Sequence, residues 1–155
     1  MNDAVVVRRG DGEDRTFVQD LGRRSAASSV SAVRTARFDD VLVAFDRLID
    51  FVYERNNTVL IAEEDGERLG FLVLLFDIPD EVTLTDQAFV AYTAVEPQAR
   101  GRGIARAMLE EAEGFARGMG RAYVSLMVTE DNAAARALYD SAGFVTERRL
   151  MTKVL

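Results

Sequence analysis

The chain has 155 residues, a formal net charge of −7, and neither cysteine nor histidine. This composition excludes thiol nucleophiles, disulfides, histidine-dependent triads and the usual zinc sites, and we expect no metal. The length fits one ordinary domain, so we predict a single domain over residues 1–155. An acidic chain without a long apolar run argues against nucleic-acid and membrane partners, and we expect a cytoplasmic protein.

The first third of the chain has the pattern of one strand followed by helices. β-branched residues predict a strand over 4–8, and apolar spacing predicts a helix over 13–24. Residues 25–33 are small and polar without a clear period, which indicates a loop or a broken helix. Asp39 is placed to cap the next helix. The apolar stripe of that helix is Val41, Leu42, Phe45, Leu48, Ile49 and Val52.

The middle of the chain has the pattern of a hairpin followed by a third long strand. Strands are predicted over 58–63 and 69–76, and Asp65-Gly66 lies in the turn between them. Residues 77–86 form a loop rich in acids. A further strand is predicted over 89–95 and ends before a proline.

The last third alternates helices and strands. The clearest helical stripe ends near Gly118 and Gly120, and a strand follows over 123–129. A helix is predicted over 132–142, and residues 144–155 have strand character. Together the elements predict one mixed α/β domain. The stripe consists of Ile104, Met108, Leu109, Ala112, Phe115, Ala116 and Met119.

A glycine-rich turn joins the strand over 89–95 to the long helix. Gly101 and Gly103 allow backbone N–H groups to face one point at the helix N-terminus, where an anion such as a pyrophosphate is favoured. Arg100, Arg102 and Arg106 add positive charge. The dinucleotide fingerprint needs a small residue where Arg106 stands, and the lysine of a P-loop is absent, so a nucleotide-binding enzyme is the weaker interpretation. A plain connecting turn is the alternative.

Two sequence blocks together resemble the GNAT N-acetyltransferase family. The first is Gln98-x-x-Gly101-x-Gly103, directly after Val95-Glu96-Pro97. The second is Asn132-x-x-Ala135-x-x-Leu138-Tyr139, followed by Gly143-Phe144. The resemblance implies a mixed, mostly antiparallel sheet of six to seven strands with helices on both faces. It also implies acetyl-CoA as co-substrate.

The resemblance assigns eleven residues to the coenzyme. Backbone groups near the end of the strand over 89–95 would contact the pantetheine arm, and the turn would hold the pyrophosphate. Asn132 would lie near the pantetheine, and it is also a good helix cap. The eleven residues are Thr93, Ala94, Val95, Arg100, Gly101, Arg102, Gly103, Ile104, Ala105, Arg106 and Asn132.

The resemblance implies one catalytic side chain, Tyr139, as the general acid for the departing thiolate. A primary amine would attack the thioester directly, without a covalent enzyme intermediate. The sequence does not identify the acceptor amine. We favour a small molecule, and the alternative is the N-terminus or a lysine of a protein. The oligomeric state is also open, with a homodimer among the states allowed.

The sequence departs from its relatives where some of them carry a glutamate base. The corresponding positions hold Phe89, Ala91 and Met127, none of which can take a proton. Tyr92 is expected to face away from Ala91, because side chains alternate along a strand. A catalytically weak acyl-CoA sensor is therefore an alternative function. If a carboxylate base exists, the candidates lie in the acidic loop: Asp77, Asp80, Glu81 and Asp86.

Overall fold

A computed structural model describes residues 4–55 and 57–155. The described residues form a five-stranded sheet in the order β1-β2-β3-β4-β5, with four α-helices. Neighbouring strands are antiparallel except β4 and β5, which are parallel. This confirms the mixed α/β fold class. The elements are β1 (Val6–Arg9), α1 (Arg15–Ser25), α2 (Phe38–Glu54), β2 (Thr58–Glu64), β3 (Glu67–Leu75), β4 (Ala88–Val95), α3 (Ile104–Gly118), β5 (Val124–Leu126) and α4 (Ala133–Ser141).

Helices cover both faces of the sheet, as expected. Along β3 the side chains alternate, so Leu72 and Leu74 pack toward α3, while Phe71 and Val73 pack toward α1 and α2. Met108 of α3 is fully buried on the first face. The apolar stripes on α2 and α3 therefore match the two layers of the core.

A buried carboxylate ties β1 and β3 to the turn before α1. Asp14 accepts hydrogen bonds from Arg8 at 2.8 and 2.9 Å, from Arg68 at 2.6 Å and from the Asp11 N–H at 2.9 Å. The Asp14 side chain is buried, and these donors, Arg8 first, hold the pKa of its carboxyl well below the ordinary value.

Local sequence patterns predicted the ends of most helices and strands to within two residues of the observed ends. Asp65 and Gly66 both have positive φ, 51° and 80°, as a two-residue hairpin turn requires. Residues 26–29 form a short 3₁₀ helix after α1, which fits the predicted broken helix. The prediction for Asp39 was wrong, because α2 begins one residue earlier and Asp39 lies in its first turn.

The sheet has fewer strands than the six to seven expected. β5 covers only Val124–Leu126, within the predicted range 123–129. The strand predicted over 144–155 was wrong, because residues 145–155 make no backbone–backbone hydrogen bond within the described chain. A strand needs a paired neighbour, and this segment has none in the described chain.

None of the helices in residues 4–55 and 57–155 has the length and apolar content needed to cross a membrane.

Candidate functional site

The sheet opens between β4 and β5 after three paired residues, at the point where β4 contains one extra residue. Val73 pairs with Tyr92 while Leu74 pairs with Val90, which leaves Ala91 as a bulge. The β4–β5 ladder ends at the pair Val90 and Leu126. From Ala91 onward, the outer edge of β4 has no strand partner in the described chain, and its backbone groups face the opening.

The bulge also corrects the expected direction of Tyr92. Ala91 and Tyr92 both pack against the cluster on the α1 and α2 face instead of facing opposite ways. The Tyr92 hydroxyl lies 3.3 Å from Ser25 Oγ and donates to the Gly22 carbonyl at 3.4 Å. An extra residue shifts the alternation by one position, which regular strand geometry does not anticipate.

The glycine turn lies directly after the open edge and presents backbone donors. Gly101 and Gly103 have φ of 75° and 79°, a region that residues with a Cβ rarely adopt. Gly103 is the N-cap of α3 and offers no side chain to the first turn. The first backbone bond of α3 joins the Ala107 N–H to the Gly103 carbonyl, so the N–H groups of the residues between them are available to an anion.

A cavity of about 310 Å³ joins the turn to the open edge and to α4. Seven of the eleven residues assigned to the coenzyme line it: Val95, Arg100, Gly101, Gly103, Ile104, Ala105 and Arg106. Ala99, Ala134 and Leu138 also line it and were not among the predicted residues. Ala134 and Leu138 lie four residues apart on one face of α4, so helical spacing within the second block offered a signal for both.

The three arginines of the turn have different partners. Arg100 Nε donates to the Val95 carbonyl at 3.3 Å, and Arg106 bonds to Ser141 of α4. Arg102 does not line the cavity. Its guanidinium is paired with Glu64 at the end of β2, which raises the pKa of Arg102. Of the three arginines, Arg100 and Arg106 therefore line the cavity and Arg102 does not.

Tyr139 lies beside the cavity, half-buried between α4 and the sheet. Its ring packs against Phe144 with centroids 5.7 Å apart. Burial raises the pKa of Tyr139, and the nearby Thr93 hydroxyl offsets part of this effect. The Thr93 Oγ1 atom is buried and has no hydrogen bond of ordinary geometry in the described chain. The phenol of Tyr139 and the buried hydroxyl of Thr93 thus lie close together.

Asn132 caps α4, as its sequence position predicts. Its side-chain oxygen accepts from the Ala135 N–H at 3.1 Å. The Ala94 side chain is buried toward α1 and α2, which leaves only its backbone groups to face the opening. Thr93, Ala94 and Asn132 lie next to the cavity without lining it.

The loop over 77–86 lies at the end of β4 opposite the residue that lines the cavity. It joins the N-terminal end of β4, whereas Val95 at the C-terminal end lines the cavity, roughly 23 Å away for an eight-residue strand. Asp80 accepts from Thr83, Val82 and Arg148, which lower the pKa of its carboxyl to about 2. Asp77 pairs with Arg55 at 3.7 Å.

A connection on the other side of the opening was not predicted. The Thr129 hydroxyl donates to the Ser29 carbonyl at 2.9 Å. Asp131 accepts from the Ala32 N–H, also at 2.9 Å. Residues 29–32 are therefore held against the loop between β5 and α4. Neither contact has a sequence signal, because each joins residues about a hundred positions apart.

Together, the open edge of β4 and the free backbone donors at the start of α3 define an α/β sheet with a cavity whose geometry suits an anionic group. The sequence profile of the acetyltransferase (GNAT) family matches residues 26–144. The chain belongs to this family.

Individual relatives agree with this assignment. A mycothiol acetyltransferase from Beutenbergia cavernae is 33% identical over 84 residues, which is 54% of this chain but only 27% of the relative. A candidate acetyl transferase from Pyrococcus furiosus has a TM-score of 0.82 at 23% identity, over 98% of this chain and 100% of the other. The structure of aminoglycoside N-acetyltransferase AAC(6')-Iy in complex with CoA has a TM-score of 0.74 at 14% identity. The match covers 100% of this chain and 97% of the other. At these identities, the two structures establish the fold alone.

Proposed function

We propose that the chain transfers an acetyl group from acetyl-CoA to a primary amine. The observation that carries the proposal is the cavity that runs from the start of α3 to the open edge of β4. Backbone donors at Gly103 and the helix N-terminus suit a pyrophosphate. The unpaired edge after Ala91 suits a ligand that has amide groups of its own.

In the proposed reaction, the amine nitrogen forms a bond to the acetyl carbon and the carbon–sulfur bond breaks. The nitrogen loses a proton, and the sulfur leaves as a thiolate that needs one. Tyr139 is the proposed donor, because burial keeps its phenol protonated at neutral pH. Orientation of two substrates at the opening supplies the larger part of the rate.

A small-molecule amine is the proposed acceptor class. The named activity of one relative, a mycothiol acetyltransferase, supports it. The net charge of −7 also attracts cationic amines, although it does so for protein amines as well. Acetylation of a protein N-terminus or a lysine is the alternative.

A specific observation favours a second function, that of a catalytically weak acyl-CoA-binding module. The positions that would hold a base are Phe89, Ala91 and Met127, none of which can take a proton. A protein of this kind would bind the coenzyme through the same cavity but release little thiol.

Thiol release from acetyl-CoA against a panel of amines distinguishes the two functions. The chain contains no cysteine, so a thiol reagent reports only the free CoA formed. Amine-dependent release together with coenzyme binding supports the transferase. Binding without release against polyamines, aminoglycosides, amino sugars and lysine peptides would favour the binding module. Absence of CoA binding in calorimetry would contradict both.

A further inference from the structure

The side chain of Thr93 lies on the face of the sheet that α3 and α4 cover. Its neighbours in β4, Tyr92 and Ala94, pack against the opposite layer, which is formed with α1 and α2. Side chains alternate along β4 after the bulge, so Thr93 shares a face with Val95. Tyr139 of α4 packs against this same face. The strand and the helix therefore bring a hydroxyl and a phenol into one layer of the core.

The Thr93 hydroxyl has no ordinary hydrogen-bond partner. Its Oγ1 atom is buried, and no residue of the described chain bonds to it with ordinary geometry. A buried hydroxyl without a partner is uncommon and costs free energy. Thr93 does not line the cavity, which argues against the coenzyme as its partner. The group that can complete the bond is the Tyr139 hydroxyl, because the two side chains are close enough for one to act on the other.

Uncharged surroundings make this single contact important for Tyr139. Burial raises the pKa of the phenol and the threonine hydroxyl lowers it, and no charged group of the described chain adds to these two causes. Arginines on both helices have other partners: Arg106 of α3 bonds to Ser141, and Arg136 of α4 lies 3.4 Å from Glu130. A negative charge that develops on the phenol oxygen thus has a neutral hydroxyl as its nearby donor.

We propose that Thr93 is a positioning residue for Tyr139, with its hydroxyl donating a hydrogen bond to the phenol oxygen. The inference rests on the proposed function, in which Tyr139 gives a proton to the departing sulfur. A fixed donor restricts the orientation of the phenol, so that its own O–H is free to face the sulfur. It also stabilises the charge that develops on the oxygen as the proton leaves.

The proton transfers in this step are balanced. The carbon–sulfur bond breaks, and the sulfur takes the proton of Tyr139 as the phenol O–H bond breaks. Thr93 keeps its own proton throughout and donates its hydrogen bond to the phenolate. Solvent receives one proton from the amine nitrogen and returns one to the phenolate. Thr93 therefore acts through Tyr139, without contact with the reacting atoms.

The first test measures the phenol directly and needs no turnover. The chain has four tyrosines, so labelling with 3-fluorotyrosine gives four fluorine NMR signals, and Tyr139→Phe identifies the one that belongs to Tyr139. Fluorination makes each phenol more acidic, which brings its titration into a range where the fold persists. Thr93→Val removes the hydroxyl and should raise the pKa of Tyr139 by about 0.5–1 pH unit. Thr93→Ser keeps a hydroxyl and should restore the pKa of the wild type.

The second test measures thiol release. Thr93→Val should lower kcat about three- to tenfold, with the KM for acetyl-CoA unchanged, because one hydrogen bond to the acid is lost. Thr93→Ser should recover most of the activity. In a Tyr139→Phe background, Thr93→Val should have no further effect on kcat, since the group through which it acts is gone.

The control is a second buried threonine on the sheet. Thr58 of β2 is 3% exposed and lies two strands away from β4. Thr58→Val removes the same group from the core and should leave both the kcat and the titration of Tyr139 unchanged. Circular dichroism and thermal unfolding establish that each variant is folded.

Three results would overturn the proposal. An unchanged pKa of Tyr139 in folded Thr93→Val would show that the two hydroxyls are not paired. A higher CoA dissociation constant with an unchanged kcat would make Thr93 a contact of the coenzyme. A wild-type protein that binds CoA but releases no thiol would overturn the role in the reaction together with the proposed function, and the fluorine titration would still establish whether the pair forms.

Discussion

The Arg102 Nη2 atom lies 2.7 Å from Oε1 and 2.8 Å from Oε2 of Glu64, which joins the glycine turn to the end of β2. The guanidinium is therefore held by a carboxylate on the hairpin instead of facing the cavity. This geometry predicts that Arg102 positions the turn and does not itself contact the phosphate groups of the proposed coenzyme.

Glu64→Gln tests this assignment. We expect the CoA dissociation constant to rise about two- to fivefold, because a partly exposed ion pair contributes ~0.2–1 kcal/mol. The value of kcat should not change, since neither residue of the pair contacts Tyr139 in the interactions described above. Glu110→Gln, an exposed position on α3, is the control. Tighter binding in Glu64→Gln would instead show that the freed Arg102 contacts the coenzyme, as the sequence first indicated.

Gly103→Val should abolish CoA binding measured by calorimetry. Gly103 has a φ of 79°, which costs a residue with a Cβ about 1–2 kcal/mol. A Cβ at this position meets no protein atom within 4 Å, so the side chain would occupy the space proposed for the ligand. Gly118→Val is the control, because it has open space, an ordinary φ and no place in the cavity. Unchanged affinity in Gly103→Val would remove the pyrophosphate from this turn.

Tyr139→Phe should lower kcat and kcat/KM together by roughly 10²–10⁴. The ring and its contact with Phe144 remain, so CoA affinity and thermal stability should change little. Thiol-release kinetics and calorimetry on the same preparation separate the two effects. Full activity in Tyr139→Phe would make this residue part of the core and leave the reaction without a protein acid.

The rate should increase with pH toward the pKa of the acceptor amine. A lysine-like amine has a pKa of about 10.4, so kcat/KM should rise roughly tenfold per pH unit between pH 7 and 9 if solvent takes the proton. Because burial raises the pKa of Tyr139, the phenol stays protonated across this range and imposes no descending limb. A rise near pH 6–7 followed by a plateau would reveal a carboxylate base.

Asp14→Asn should destabilise the fold by about 1–3 kcal/mol at pH 7, because Arg8 and Arg68 lose their shared carboxylate. The pKa of the Asp14 carboxyl is lower in the folded state than the unfolded reference of about 3.9. Its contribution is therefore complete above that value and is lost as the pH falls below it. Urea unfolding should show that the difference in the free energy of unfolding between wild type and variant decreases from pH 7 to pH 2. Asp86→Asn, which changes an exposed carboxylate, is the control and should have the same free energy of unfolding as wild type at each pH.

Local features of the sequence predicted the parts of the site that depend on neighbouring residues. The positive φ of Gly101 and Gly103 follows from glycine itself, and the cap at Asn132 follows from its side chain. The conformations of these residues do not depend on a distant partner, so residue type and spacing were sufficient to predict them.

Contacts between distant residues were the part that the sequence did not predict. The sequence assigns Arg102 to the phosphate site but gives no sign of its ion pair with Glu64, 38 positions away. The segment 144–155 has the composition of a strand, but strand formation depends on a partner edge that composition does not reveal. The Ala91 bulge likewise arises from the register between two strands, which alternation within one strand cannot report.

That bulge makes the length of β4 a variable that substitution would not reveal. Ala91 is one residue of extra backbone between Val90 and Tyr92, which pair with Leu74 and Val73 of β3. Without Ala91, Val90 and Tyr92 would follow one another in regular alternation, so Tyr92 would keep its contacts with Ser25 and Gly22. The extra residue therefore alters the path of the β4 backbone beside the opening without changing which of these side chains face the core, and its contribution would be exposed by deleting it rather than by replacing it.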